Sequence, residues 1–436
     1  MDWSIHLAIL LTLILFMFAL GMPVAFSFLF ANIIGLAVFT GGTKGWSLIT
    51  SSAFDCLRNF TFWAIPLYLL MGDVLSRSGA ISRGLGVVSE WTGRIPGRLG
   101  VISIINGAIF GAMSGSTLAS TALLSKLLGS EMRKCGYSTS MIAGSIMAGG
   151  CLDLIIPPSN FVIVIGALAQ ENVAKLLIAG IVPGLLLALL YIVYIVLLAW
   201  WNPNSAPRYA PVETSLKKRF WDTLHLLPIC GVIFISIVTV FLGICTPTEA
   251  AALGTICAVV LAAGYRKLNF SMLRDSALDT AKTSSMIFMI IVGSSSFSQL
   301  MATVGATKGL TTFATNLSVP PIVMNIIMQV IVLILGCFIE PVSIMMITIP
   351  IFMPVIRALG LDPIWFLTIL LIDLMLGGLT PPFGLTMFVY KGCDPQATME
   401  EVYRSAIPIL FITLVGVVIL TAFPFFATWL PGFMGK

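Results

Sequence analysis

Apolar residues recur in blocks of about 17 to 25 from residue 5 to residue 430, each able to cross a hydrocarbon core of about 30 Å. The blocks predict spans at about 5–21, 24–40, 61–79, 138–170, 176–201, 224–243, 248–264, 283–304, 364–390 and 407–430, about ten crossings. Prolines interrupt two of these, at Pro157 and Pro381. Two further apolar stretches, about 100–130 and 322–356, are too long for single helices and carry breakers in the middle. Each predicts a re-entrant helical hairpin that enters and leaves on one face. Segments from about Trp46 to Arg58 and from Phe270 to Lys282 mix apolar residues with scattered charges, the pattern of a helix lying in the membrane interface. The fold class is therefore an all-α polytopic membrane protein.

The interruptions repeat. A small-residue tip at Gly111–Thr117 is followed by Ile156-Pro157-Pro158-Ser159, and a second tip at Gly336–Pro341 is followed by Thr380-Pro381-Pro382-Phe383. Pro157 and Pro381 stand 224 positions apart (381 − 157), and the same offset carries Arg133 onto Arg357 and Gly136 onto Gly360. Broken helices at corresponding positions of two halves point to a transporter's binding site, because a break exposes backbone groups that the bilayer otherwise forbids. We divide the chain into a first repeat over 1–201, a linker over 202–222 and a second repeat over 223–436.

Charge sets the orientation. Arg94, Arg98, Arg133 and Lys134 flank the first hairpin, so its ends are expected on the cytoplasmic side. Counting crossings from there puts Arg208, Lys217, Lys218 and Arg219 in a cytoplasmic linker, with Arg266 and Lys267 on the same side. The second hairpin, with only Lys308 and Arg357 near it, then opens outward, and the two halves form an inverted repeat. A net charge of +5 spread over such loops serves orientation and not nucleic acid.

Composition narrows the class further. Hydrophobic residues make up 58% and charged residues 9%, with a mean hydropathy of +1.06, far from the roughly 25% charge of a soluble domain. Asn202 to Asp222, the longest polar stretch, is too short to bury a core of its own. The run Ile5–Leu20 lacks a basic leader and a cleavage site, and we read it as a retained helix. Eight cysteines without CxxC spacing and two histidines, His6 and His225, offer neither a disulfide framework nor a zinc site.

Polar side chains at membrane depth need a partner or a role. Ser114, Gly115, Ser116, Thr117 and Ser120 gather hydroxyls at the first tip, hard oxygen donors that suit a small cation such as sodium. Close helix packing by small residues is the alternative. At the breaks, Pro157-Pro158-Ser159-Asn160 and Thr380-Pro381-Pro382 leave upstream carbonyls for a cation, and the following half-helix offers its positive end to an anion. Glu340 could ligate a cation or stabilise its tip. Asp373 could complete a cation site or relay a proton. Asp153 could cap local backbone or bind a cation, and Gln299 could contact a substrate or a neighbouring helix.

The chain resembles the large membrane subunit of TRAP (tripartite ATP-independent periplasmic) transporters over its whole length. The resemblance rests on Gly111-x-x-Ser114-Gly115-Ser116, Glu131-Met132-x-Lys134-x-Gly136-Tyr137, Ile156-Pro157-Pro158-Ser159, Ala179-Gly180-Ile181-x-Pro183-Gly184, Thr246-Pro247-Thr248-Glu249-Ala250-Ala251 and Gly378-x-Thr380-Pro381-Pro382-x-Gly384. It implies sodium-coupled import of an organic acid across the bacterial inner membrane by an elevator-type member of the ion-transporter superfamily, with sodium the only cofactor. It implies two protein partners, a small four-helix membrane subunit and a periplasmic binding protein, besides membrane lipid. By resemblance, sodium sites fall at Ser114 to Thr117, including Gly115 and Ser116, with Pro157 to Ser159, and at Glu340 to Ser343, including Pro341, with Thr380 to Pro382; Asp373, within two turns of the second break, is a further candidate cation ligand read from its position. Substrate contacts fall at Ser116, Thr117, Ser159, Asn160, Gln299 and Pro382.

The chain departs from the family pattern in places. Ala119-Ser120 stands where an Ala-Asp pair is frequent, Asp153 where Gly is common, Glu340 where Asp is, and Asp373 where Asn is. The Arg found near position 299 in carriers of acidic sugars is missing, which puts such a substrate in doubt. Two other readings are open on sequence. One is a stand-alone dicarboxylate carrier of the same superfamily; the other is an intramembrane protease using Asp153 and Asp373, although its Gly-Asp motif is absent.

Overall fold

The structure, a computed structural model, describes residues 3–39, 43–79, 92–93, 95–207, 216–317 and 319–434. Arg94 and Arg208, both used in the charge argument, lie outside these residues, as do the side chains of Lys217, Lys218 and Arg219. Among the described residues every regular element is helical. Five helical stretches are long and apolar enough to cross a membrane, and helices of 10–17 residues supply the shorter apolar pieces.

Both hairpins and both broken helices form. The first hairpin runs Arg98–Ser114 to a tip at Gly115 and returns through Thr117–Leu124 and a π turn to Ser130–Lys134. The second runs Pro321–Gly336 and returns as Pro341–Ala358. The broken helices are Thr139–Cys151 with Asn160–Leu168, and Pro363–Leu379 with Leu385–Cys393. In each break the two prolines carry no amide hydrogen, so the ladder of i to i−4 bonds stops there. Both Pro–Pro bonds are cis.

The repeat is visible in local chemistry. Gly136 and Gly360 end the two return arms with left-handed φ of 79° and 71°. Behind them, Tyr137 donates its amide to the Met132 carbonyl at 3.0 Å and Leu361 donates to Ile356 at 3.1 Å, the same helix-ending turn 224 residues apart. The repeats also exchange contacts: Asn160–Leu168 packs on the second hairpin's return arm, and Leu385–Cys393 packs on the first's. Arginines fasten both exchanges. Arg133 binds the Asp394 carboxylate, and Arg357 donates to Glu171 at 2.8 Å and to the Ala169 carbonyl at 2.7 Å. Replacing Arg133 or Arg357 with Met is expected to lower unfolding free energy by about 0.5–1 kcal/mol each, because each pair is partly solvated. The two losses should add, since the sites share no partner. Denaturant titration of the detergent-purified single and double variants measures both points.

A second set of helices embraces this body. Ala64–Arg77 packs on Pro247–Gly264, and Phe270–Thr303 packs on Val24–Phe39, Thr43–Arg58 and Ala64–Arg77. Buried polar side chains tie it together: Asn32 donates to the Gly293 carbonyl at 2.7 Å and Thr255 to the Leu67 carbonyl at 2.8 Å. Ile181–Trp201 is apolar on all sides. It buries Leu187, Tyr191, Ile195 and Ala199 on one stripe while Leu185, Leu189, Val193 and Leu197 face outward, the arrangement of a lipid-facing helix.

Three expectations change. Phe270 to Lys282 is not a separate interfacial helix but the opening of one continuous helix, Phe270–Thr303, of 34 residues. No proline interrupts it, so the bond ladder runs through, and about 51 Å of helix exceeds the core thickness and must project beyond it. Ala306–Asn316 forms an additional helix against Trp3–Ala19 where the sequence showed only a connector. The last long helix spans Met399–Ala422, not 407–430, because Thr398 and Glu401 build a reciprocal capping box that starts it early.

Candidate functional site

The hairpin arms lie against the broken helices by packing closely at glycines. Gly107 lies on Gly149, Gly111 on Asp153, and Gly336 on Gly377, so that an added Cβ would sit 2.4 to 2.6 Å from its neighbour. Any side chain at these positions would push the arm away from the broken helix, and the tip with it.

At the first tip Gly115 has φ 57° and ψ 24°, left-handed, which turns the chain into Thr117–Leu124. Ser116 caps that helix by accepting from the Ala119 amide at 3.4 Å. Thr117 donates its hydroxyl to Asp153 Oδ1 at 2.6 Å, while the other carboxylate oxygen of Asp153 is buried with no hydrogen-bond partner. Asp153 is fully buried and lies beside Gly111 and Thr117, so its position is that of an uncompensated acceptor just behind the tip. The side chain of Ser114 lies outside the described residues.

The hydroxyls at the breaks are held by the backbone just upstream. Ser159 donates to the Leu154 carbonyl at 3.1 Å and Thr380 to the Leu376 carbonyl at 2.6 Å, so each hydroxyl closes the helix upstream of the break. The helices downstream, Asn160–Leu168 and Leu385–Cys393, begin without a side-chain cap. Asn160 packs its amide on Gly115 and leaves Oδ1 unbonded at 7% exposure. Glu340 precedes Pro341 but its side chain does not cap; its carboxylate accepts from the Ser343 hydroxyl at 3.3 Å.

These parts converge on a cleft of about 200 Å³. Gly115, Ser116 and Thr117 from one tip and Glu340 and Pro341 from the other line it, together with Asn160, Leu385 and Thr386 from the two downstream half-helices. The embracing helices close the other side with Leu69, Thr283, Met286 and Ile287. Four helix starts therefore meet at one cavity, and three of them, Asn160–Leu168, Pro341–Ala358 and Leu385–Cys393, begin without a side-chain cap.

Of the residues singled out on sequence, Gly115, Ser116, Thr117, Asn160, Glu340 and Pro341 reach this cavity. Ser159 and Ser343 are buried beside it. Pro157 and Pro158 instead face a small separate gap against Tyr68 and Val240. Pro381 and Pro382 are not among its lining, and the Pro382 carbonyl accepts from Tyr403 at 3.1 Å. Gln299 sits on the helix Phe270–Thr303 at a distance from the lining, and Asp373 is buried with one oxygen unpartnered while its neighbours Leu374 and Met375 do the lining. Thr283, Met286, Ile287 and Thr386 were missed, because nothing in an apolar helix marks which stripe will face a cavity. The neighbouring Pro-Pro break could have pointed to Thr386.

Comparison with known proteins agrees with this architecture. Residues 10–426 match the family model described as "Tripartite ATP-independent periplasmic transporter, DctM component". The chain belongs to the TRAP transporter large-subunit family. A C4-dicarboxylate TRAP transporter large permease protein of Pseudomonas aeruginosa is 31% identical over 386 residues, covering 88% of each chain. The sialic acid large permease of Vibrio cholerae is 29% identical over 94% of this chain and 95% of its own, and an ectoine/5-hydroxyectoine large permease of Ruegeria pomeroyi is 28% identical over 97% of each. In fold the chain is similar to the YdaH transporter of Alcanivorax borkumensis, with a TM-score of 0.61 at 14% identity, covering 88% of this chain and 89% of that one. The protein is thus a multi-pass inner-membrane permease subunit. The family carries organic acids and works with a small membrane subunit and a periplasmic binding protein. The family is one of transporter permeases, and among the described residues Asp153 and Asp373 are not part of this cavity's lining.

Proposed function

We propose that this chain imports a small organic acid by sodium symport, as the large subunit of a three-part system with a small membrane subunit and a periplasmic binding protein that delivers the substrate. The observation that supports this reading is the meeting of both tips and both half-helix starts in one cavity between the hairpin body and the embracing helices. The substrate occupies that cavity. A sodium ion sits behind the first tip, where Asp153 Oδ2 is unpartnered beside Thr117 and the carbonyls freed near the break. The hairpins and broken helices interlock through Arg133 and Arg357, so they can move as one unit against the embracing helices in an elevator motion.

Reconstitution in proteoliposomes with both partners tests the proposal. Uptake is expected to follow an inward sodium gradient and to require the binding protein. Uptake that ignores sodium would overturn the coupling, and uptake by this chain alone would favour the stand-alone carrier. Asp153→Asn is expected to raise the sodium concentration for half-maximal uptake at least tenfold, equivalent to about 1.4 kcal/mol of ion binding. An unchanged sodium curve would remove Asp153 from the ion site.

A further inference from the structure

Among the described residues, the embracing helices put one hydroxyl into the cavity. Leu69, Met286 and Ile287 line that wall with hydrocarbon and thioether, and Thr283 stands among them. Thr283 is exposed, and its hydroxyl forms no hydrogen bond among the described residues. On the same helix Thr303 donates to the Gln299 carbonyl one turn back at 2.8 Å; Thr283 makes no such bond, so its hydrogen and its lone pairs are open to an occupant.

A second observation fixes how this wall is presented. Ile287, Ile290 and Ser294 follow Thr283 by 4, 7 and 11 positions, on one face of the helix Phe270–Thr303. At the far end of that face Ser294 donates its hydroxyl to the Met346 carbonyl on the second hairpin's return arm, at 3.1 Å. That carbonyl is available because Pro350, four residues further along the helix Pro341–Ala358, has no amide hydrogen to give it. The face that carries Thr283 is therefore held against the hairpin body, and Met345, next to Met346, lines the same cavity.

On the body side, the uncapped starts of Asn160–Leu168, Pro341–Ala358 and Leu385–Cys393 favour the acid group of an occupant. Resting on the reading of this cavity as the site of an organic acid, we propose that Thr283 is the specificity-determining residue for the other end of the substrate. Its hydroxyl bonds a polar group there, a hydroxyl or a second carboxylate, and disfavours a methyl group. An acid without that group displaces water from the Thr283 hydroxyl and gives it no partner in an otherwise apolar wall.

The purified complex of this chain with its small subunit, in sodium-containing buffer, tests this by thermal shift with two pairs of probes. Isethionate and ethanesulfonate share a sulfonate and differ by a terminal hydroxyl; succinate and butyrate share a carboxylate and end in a second carboxylate or a methyl. In at least one pair the polar-ended acid is expected to raise the melting temperature at a concentration at least about tenfold below its methyl-ended partner. Thr283→Val should shrink that gap to about threefold or less by weakening the polar-ended acid alone, and Thr283→Ser should keep it. Thr283→Ala takes the place of the valine variant if that one does not fold. The inference is overturned if the wild-type complex treats both members of each pair alike, or if the gap survives loss of the hydroxyl. It is also overturned if the variant weakens both members equally, as a merely structural role would. Protection by none of the four acids sinks the reading of the cavity as an acid site, whereas protection without a gap sinks this inference alone.

Discussion

Gly107→Ala is expected to destabilise the folded protein by about 1–3 kcal/mol, and Gly107→Val by more. A Cβ there lies 2.4 Å from the carbonyl carbon and oxygen of Gly149, closer than any real contact, and the obstacle is backbone with no rotamer to escape into. The first arm of the hairpin would have to leave the broken helix, losing dispersion contacts that a bilayer does not replace with a hydrophobic gain. Gly231→Ala is the control. It lies in the helix Leu216–Phe241 with nothing within 4 Å of the added methyl, so it should be neutral or stabilising by up to about 1 kcal/mol. Melting curves of the two purified variants, with the yield of monodisperse protein, test the pair; equal stability would mean the arms are less tightly packed than described.

Gly115→Ala should act on transport more than on stability. Its φ of 57° costs an alanine about 1–2 kcal/mol, and the new Cβ would lie 2.1 Å from the Asn160 side-chain nitrogen. Asn160 must swing away, which disturbs the cavity wall and the first tip together. We expect uptake to fall at least tenfold while the variant still purifies as a folded protein. Normal uptake would show that the contact between Gly115 and Asn160 is not part of the working site. Gly384→Ala is a useful comparison, since its Cβ would meet the flexible end of Met387 at 2.2 Å as well as the Gly378 carbonyl at 3.0 Å. The partner there can partly yield, and a smaller loss follows.

Much of this architecture was legible before any coordinates. Hydropathy blocks marked the membrane class, and the two double prolines marked both breaks, because proline's missing amide acts locally and needs no tertiary context. The 224-residue offset paired Arg133 with Arg357 and Gly136 with Gly360, and each pair occupies matching positions in the fold. The offset could not reveal that each arginine clamps the other repeat, to Asp394 and Glu171 respectively, because the exchange depends on how the halves interlock. The continuous helix Phe270–Thr303 was misjudged for a related reason: scattered charges resemble an interfacial helix when nothing shows that the ladder of bonds runs on.

Sequence alone determined the membrane class, the family, the tips and breaks, and six of the cavity's residues, since glycine, proline and hydroxyl side chains declare their backbone roles locally. Tertiary structure decided which polar groups remain free. Ser159 and Thr380 donate their hydroxyl hydrogens to upstream carbonyls and so are held in one orientation, whereas Asn160 and Asp153 keep an oxygen without a hydrogen-bond partner. A hydrogen bond is settled by geometry between groups that sequence places far apart. The same geometry brought Glu340 from the second tip into one cavity with Asn160 and the first tip.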